Sequence, residues 1–425
     1  MPHRKRIAAA TGLLGLVCVW SAASIAAVPA SGRPEDVGLS SDRLKRIGST
    51  IQRHIDEGNV SGAVTLVARN GRVAHLQAHG YMDVAAKKPM PTDAVFRIMS
   101  MTKPIVGAAI LMMMEEGKLR LSDPVSRFIP EYQGLKVAVE TPRSSGPGAA
   151  ARDEPPSFYT VPATREITIR DLLTHTSGLV SGGVSASEAA KIDRARTDTI
   201  GTYLPKLAAA PLAFQPGTRW AYSPGAGFDA LGRIVEVASG LPLDRFLKER
   251  MFGPLGMKDT YFVGTDEREM RAPLVYQRSA KGLVAQPPPS QRPSGTYFGG
   301  GGGLVSTAED YVRFGQMLLN GGELDGHRLL GRWTVDLMRS VHVPDTFQGR
   351  QPGRAFGLSV QVVTDPVAAQ YNVSPGSYGW IGAWGTHSWL DPKEKLVGIM
   401  LVQTSNPNRQ VDRDYETAVM QAIVE

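Results

Sequence analysis

Phe96-Arg97-Ile98-Met99-Ser100-Met101-Thr102-Lys103-Pro104 leads without a break into the apolar run of residues 105–114. Proline is accepted in an α-helix chiefly within its first turn, where its missing N–H would have had no intrahelical partner. Pro104 therefore fixes the start of a helix and puts Ser100 at its N-terminus or within a residue or two of it. Ser100 and Lys103, three residues apart, then face the same side. A serine hydroxyl is a poor nucleophile until a base takes its proton, and a lysine whose surroundings lower its pKa can act as that base. The helix N-terminus adds free N–H groups and a positive partial charge, which favour the oxyanion formed in acyl transfer. The same residues also fit a serine N-cap followed by an exposed lysine, so the rest of the chain has to discriminate.

Upstream, Ser41 with Leu44, Ile47 and Ile51 at three- and four-residue spacing predicts an amphipathic helix from 41 to about 57. The period then changes to two. Residues 63–69 and 72–77 flank Asn70-Gly71, a hairpin signal because both turn residues need positive φ. His75 and His79 have the spacing of a helical metal pair, but they lie in a strand pattern without the adjacent Glu of a zinc protease, and no metal site is expected.

Downstream, helices are predicted at 105–116, 169–173, 228–239 and 243–251. Thr168 and Asp171 make an N-terminal capping pair, Gly240 suits a left-handed C′ position and Pro242 starts the next helix. Residues 142–162, rich in Pro, Ser, Gly and Ala, read as a loop. A second irregular stretch, 287–303, ends in five consecutive glycines, 299–303. No Gly-Lys-Ser/Thr follows, so this run predicts close backbone packing under the active-site face rather than phosphate binding, with Ser306 and Glu309 capping the next helix. Strands return at 356–363, 384–390 and 396–403, and a helix at 411–424 closes the chain. Strands thus come from both ends and helices from the middle. The simplest assembly is an α/β (α+β) fold: one antiparallel sheet built from both chain ends and flanked by helices, with a mostly helical subdomain, about 104–290, inserted.

The 425 residues are 42% hydrophobic and 20% charged, enough apolar material for a large core and too little charge for a disordered chain. Arg4, Lys5 and Arg6 precede an apolar, acid-free run over 7–27 that ends in small residues, the pattern of a secretory signal peptide. Residues 1–30 are expected to be that leader and 31–425 a single catalytic domain. Left uncleaved, the leader would anchor the protein to the inner membrane, but its Ala, Gly and Ser content makes it a weak spanner. Cleavage removes three positive charges and no negative ones, which takes the net charge from +7 to +4. No Lys/Arg cluster is interleaved with aromatics, so nucleic acid is not an expected partner. The single cysteine, Cys18, lies in the leader, and Val17 before it argues against lipidation. A mature chain without cysteine excludes disulfides, thiolate metal sites and cysteine catalysis, and fits export to a bacterial periplasm or the medium.

Ser100-Met101-Thr102-Lys103 opening an apolar helix resembles the first motif of the serine β-lactamases, penicillin-binding proteins and β-lactamase-like (family VIII) esterases. Further matches follow in the family's order: Leu172-Leu173-Thr174-His175-Thr176-Ser177-Gly178-Leu179, Phe214-Gln215-Pro216-Gly217, Trp220-Ala221-Tyr222-Ser223 and Pro254-Leu255-Gly256-Met257. Gly302-Gly303-Leu304-Val305-Ser306-Thr307 and Gly379-Trp380-Ile381-Gly382 complete the series, which spans about 40–405. The resemblance implies Ser100 as acyl-accepting nucleophile and Lys103 as its general-base partner. It implies Tyr222 as a proton carrier, either a phenol of depressed pKa or a hydrogen-bond relay. The N–H groups of Ser100 and of Ala383, on the edge strand after Gly382, would form the oxyanion hole. His175 and His387 are expected to be structural.

Two departures bear on substrate. Where β-lactamases and penicillin-binding proteins carry Lys-Thr/Ser-Gly, this chain has Trp380-Ile381-Gly382, an indole in place of a carboxylate-binding cation. Pro224 stands where the family's Asn usually offers an amide. Trp380, Ile381, Gly382 and Pro224 are thus the expected substrate-binding positions, and both departures favour uncharged esters. The expected activity is an esterase needing no metal or cofactor. β-Lactam or D-amino-acid peptide hydrolysis on the same fold is the alternative, and a non-catalytic cell-envelope binding module a second one.

Overall fold

A computed structural model describes residues 32–141, 157–264, 266–287 and 295–425. The expected signal peptide, most of the predicted 142–162 loop and part of the 287–303 stretch lie outside the described residues. Helix α1, Ser41–Asp56, forms where the apolar spacing predicts it. Ser40 Oγ caps its start by accepting from Arg43 N–H at 3.3 Å, and Leu44, Ile47 and Ile51 are buried. The hairpin of β1 (Gly62–Arg69) and β2 (Arg72–Asp83) turns on Asn70 at φ 52° and Gly71 at φ 74°, the left-handed pair such a tight turn requires.

The main sheet also contains β3 (Lys88–Pro89), β4 (Arg354–Phe356), β5 (Gln361–Val363), β6 (Tyr378–Ile381), β7 (His387–Asp391) and β8 (Leu396–Leu401). Its order is β4-β5-β6-β7-β8-β1-β2-β3, antiparallel throughout. The chain ends meet at its centre, with Val64 opposite Leu401 and Arg69 opposite Leu396. Alternate β1 residues feed two cores. Ala63 and Val67 pack with Leu44, Ile47, Met400 and Val419, whereas Val64, Leu66 and Ala68 join the larger cluster of the helical region. A strand buried on both faces reads as a continuous apolar run, which is why 63–68 shows little polar alternation.

The remaining helices that matter here are α2 (Thr102–Glu115), α3 (Ala226–Ser239), α4 (Ala308–Leu319) and α5 (Gln410–Met420). Thr168 and Asp171 form the predicted capping box, and Gly240 closes α3 at φ 76°. Several boundaries depart from expectation. Phe158–Pro162, predicted as loop, is a strand paired with Lys136–Glu140, its short alternation obscured by the proline-rich flank. The predicted 356–363 strand is the β4–β5 hairpin, because Gly357 N–H bonds Val360 O at 2.8 Å and Ser359 takes φ 67°. Thr307 with Asp310, not Ser306 with Glu309, caps α4, since Leu304–Ser306 is pulled into a small sheet with Phe96–Arg97 and Tyr261–Phe262. The predicted 243–251 helix changes to a π turn at Lys248–Phe252. Among the described residues no helix is long and apolar enough to cross a membrane.

His75 and His79 share one partner: Thr65 Oγ1 lies 2.8 Å from His75 Nε2 and 2.9 Å from His79 Nε2. A hydroxyl has one proton, so it can donate to only one of the two rings and accepts from the other. Burial lowers both imidazoles to about 4. The unfolded chain takes up these protons near pH 6.5 and the folded chain only near 4, so stability falls as pH drops through that window. Urea unfolding of a His75→Gln/His79→Gln variant should show a flatter pH dependence between 6.5 and 4 than the parent; equal slopes would show that these rings do not set acid stability.

Candidate active site

Ser100 sits in a single 3-10 turn, Met99–Met101, that runs directly into α2. Met99 holds φ 49°, a left-handed conformation that costs a non-glycine residue energy and is retained only where its surroundings enforce it. Those surroundings are the small sheet behind it: Ile98 N–H bonds Leu304 O at 3.1 Å, and Leu304 N–H bonds Thr102 Oγ1 at 3.3 Å. Helix α2 is buried on all sides from Thr102 to Met113. Lys103 is therefore not an exposed lysine; its side chain has 0% exposure.

Lys103 Nζ donates to three oxygens: Ser100 Oγ at 3.1 Å, Pro224 O at 2.7 Å and Gly301 O at 2.6 Å. Burial lowers its pKa from the ordinary lysine value, opposed in part by Tyr222 and by the charge of Asp229. The two carbonyls also define what a neutral amine would do. Its two N–H groups would stay on Pro224 and Gly301, and its lone pair would face Ser100 Oγ. Tyr222 OH donates to the same Ser100 Oγ at 2.7 Å. The serine hydroxyl is thus flanked by an amine and a phenol, 3 and 122 residues away in sequence.

The glycine run supplies the carbonyl at Gly301. A Cβ at Gly300 would lie 2.3 Å from Phe228 O, and one at Gly301 2.7 Å from Gly225 Cα, so only glycine lets this backbone approach α3. Asp229 holds it in place. Its Oδ1 accepts from Gly301 N–H at 2.8 Å and its Oδ2 from Tyr297 OH at 2.7 Å, inside a site where burial raises the carboxyl's pKa. Sequence reasoning missed Asp229; the available signal was an acid among Phe228, Ala230 and Leu231 at the start of the predicted 228–239 helix.

Trp380 lies on β6 with its ring 5.6 Å from that of Tyr222 and 5.2 Å, edge-on, from that of Phe356. Ile381 ends the strand half-buried. Gly382 abuts the serine turn: a Cβ there would lie 2.6 Å from Ile98 O and 3.3 Å from Met99 Cβ. The expectation of an edge strand fails, because β6 lies between β5 and β7; the β5 ladder covers only Tyr378 and Gly379, leaving Trp380 and Ile381 unpaired on that side. Ala383 is in the exposed turn after the strand rather than on it. Pro224 is exposed, and its backbone carbonyl accepts from Lys103 Nζ.

His175 is buried below these rings, 4.6 Å from the Tyr222 ring and 5.3 Å from that of Phe228. Its Nδ1 accepts from Ser223 N–H at 3.2 Å, so the ring proton is on Nε2. Burial, helped by the charges of Lys103 and Arg350, drives its pKa well below the usual value, and the neutral ring packs under Tyr222. His387 does more than pack. It stacks on Trp389 and places Nε2 2.9 Å from Glu416 Oε1 on α5. Burial lowers its pKa, but the bond to Glu416 and the charges of Glu416 and Asp412 outweigh that and raise it.

The family model described as Beta-lactamase matches residues 47–421. The chain is 39% identical over 383 residues to Protein Rv1367c of Mycobacterium tuberculosis, covering 86% of this chain and 90% of that protein. It is 30% identical over 381 residues to the esterase EstB of Burkholderia gladioli, covering 84% and 89%. Among solved structures it is similar to EstCE1, a hydrolase with promiscuous acyltransferase activity, with a TM-score of 0.74 and 28% identity over 89% of this chain and 99% of that one.

Proposed function

Because the chain belongs to the beta-lactamase family of serine hydrolases, we propose that it is an exported esterase that cleaves uncharged carboxylic esters through an acyl-enzyme on Ser100. The observation that carries this reading is the convergence of Lys103 Nζ and Tyr222 OH on Ser100 Oγ. Neutral Lys103 takes the serine proton as Oγ attacks the ester carbonyl. The oxyanion is held by the N–H groups of Ser100 and Ala383. Tyr222, bonded to Oγ, passes a proton to the departing alcohol, and the same pair then activates the water that releases the acid. Residues 31–425 act as one catalytic unit behind a disposable leader, 1–30, and no metal or cofactor takes part.

The esterase reading rests on the similarity to EstB and EstCE1 and on Trp380. A tilted indole beside Tyr222 offers apolar contact to an acyl or alcohol chain and no charge to a substrate carboxylate. β-Lactams and D-amino-acid peptides carry that carboxylate. We expect kcat/KM for p-nitrophenyl butyrate to exceed that for nitrocefin by at least about 100-fold, the scale on which an apolar pocket rejects an added polar group. The reverse order would replace the esterase by a β-lactamase on the same machinery. Transfer of the acyl group to an added alcohol, seen as a nucleophile-dependent ester product, would extend the reading without replacing it.

A further inference from the structure

Arg409 stands at the N-cap of α5, where a cation opposes the helix dipole and its placement calls for an explanation. Two contacts hold it there. Nη1 pairs with Asp412 Oδ2 at 3.0 Å, in the first turn of the same helix, and Nη2 donates to Gly382 O at 2.8 Å. Gly382 O belongs to the same peptide unit as Ala383 N–H. In a trans peptide the carbonyl and the N–H point in opposite directions, so a donor fixed on the oxygen sets the direction of the N–H. Gly385 N–H also reaches Gly382 O, at 3.2 Å, and Gly382 N–H bonds Thr386 O at 2.7 Å, closing a tight turn. Thr386 Oγ1 then bonds Ile98 O at 3.1 Å, which ties this turn to the one that carries Ser100. Among the described residues, Ala383 N–H meets no acceptor within the chain. Gly382 thus has both its N–H and its carbonyl engaged, which fixes the peptide plane that carries Ala383 N–H.

We propose that Arg409 is a positioning residue that orients and polarises the Gly382–Ala383 peptide so that Ala383 N–H serves as an oxyanion donor. This rests on the acyl-enzyme reading above. A charge-assisted bond to the carbonyl draws electron density toward its oxygen and makes the N–H a stronger donor, besides fixing its plane. Arg409 need not touch substrate to do this. The other role open to it, anchoring α5 to the sheet, predicts lost stability with unchanged chemistry, and the two separate experimentally.

The test uses the full-length mature chain, p-nitrophenyl butyrate for turnover and p-nitrophenyl trimethylacetate, labelled with ¹³C at the carbonyl, to accumulate the acyl-enzyme. Removing a whole oxyanion donor costs about 10²–10³ in rate, and a misaligned donor less, so Arg409→Gln should lower kcat by roughly 10–100-fold with little change in KM. The infrared carbonyl stretch of its acyl-enzyme should move to higher wavenumber, as the weakened hole polarises the carbonyl less. Arg409→Lys should fall between the parent and Arg409→Gln in both readouts, and carries the test if Arg409→Gln does not fold. A kcat within twofold of the parent, or a loss of rate with an unmoved carbonyl band, overturns the proposal. If the parent's own acyl-enzyme band does not differ from that of the acid-denatured adduct, the oxyanion assignment itself fails, whatever Arg409 does.

Discussion

Ser100→Ala should reduce p-nitrophenyl ester hydrolysis to the level of buffer, a fall of about 10⁵–10⁶ in kcat of the kind seen when a nucleophile acting as part of a unit is removed. The loss should come without a loss of structure. Ser100 is half-buried, and removing Oγ leaves Lys103 Nζ its two stronger contacts, Pro224 O at 2.7 Å and Gly301 O at 2.6 Å. Thermal unfolding of the variant should therefore stay close to that of the parent. Turnover that survives in a folded Ser100→Ala protein would mean that another group attacks the ester.

Lys103 gives the second large effect, of a different kind. Lys103→Ala removes the base and also strands two carbonyl oxygens that the buried amino group satisfies, so it should cost several orders of magnitude in kcat/KM together with stability, about 1–3 kcal/mol for each oxygen left without a donor. Tyr222→Phe removes only the hydroxyl at 2.7 Å from Ser100 Oγ and should cut activity by several orders of magnitude with stability nearly unchanged. If the two groups work as a unit, the double variant should be little worse than either single one. The pH profile follows from burial of Lys103, which lowers its pKa. Activity needs the neutral amine, so it should decline as pH falls through that lowered pKa, with the acid limb below the ordinary lysine range. An acid limb unchanged in residual Lys103→Arg turnover would assign that titration to another group, because guanidinium is not deprotonated in proteins.

The pairing of Ser100 with Lys103 was legible because its signal is local. Pro104 and the apolar run place a helix start within two residues of Ser100, and three-residue spacing brings Lys103 to the same side. The antiparallel sheet from both chain ends was legible too, since period-two patterns and the Asn70-Gly71 turn are short-range features. Which groups hold the lysine amine was not. Pro224 and Gly301 lie 121 and 198 residues from Lys103, and no periodicity states which carbonyls a folded chain will turn toward a side chain. Asp229 and Arg409 were missed for the same reason: each acts on a backbone group, Gly301 N–H and Gly382 O, rather than on a motif residue. The edge-strand expectation for Ala383 failed because the β4–β5 hairpin adds two strands outside β6, and its interruption at 357–360 disguised it as one long strand. His387 looked like packing because its partner Glu416 comes from α5, on the other side of two strands in sequence.

The claim on which the rest depends is a covalent acyl group on Ser100. Rapid acid quench of the protein mixed with excess p-nitrophenyl trimethylacetate, followed by intact mass and peptide mass spectrometry, reads it directly. The expected result is a gain of one trimethylacetyl group per chain, located on the peptide that contains Ser100 and absent from Ser100→Ala. Hydrolysis at full rate with no adduct under these conditions, or an adduct on any other residue, would contradict the account.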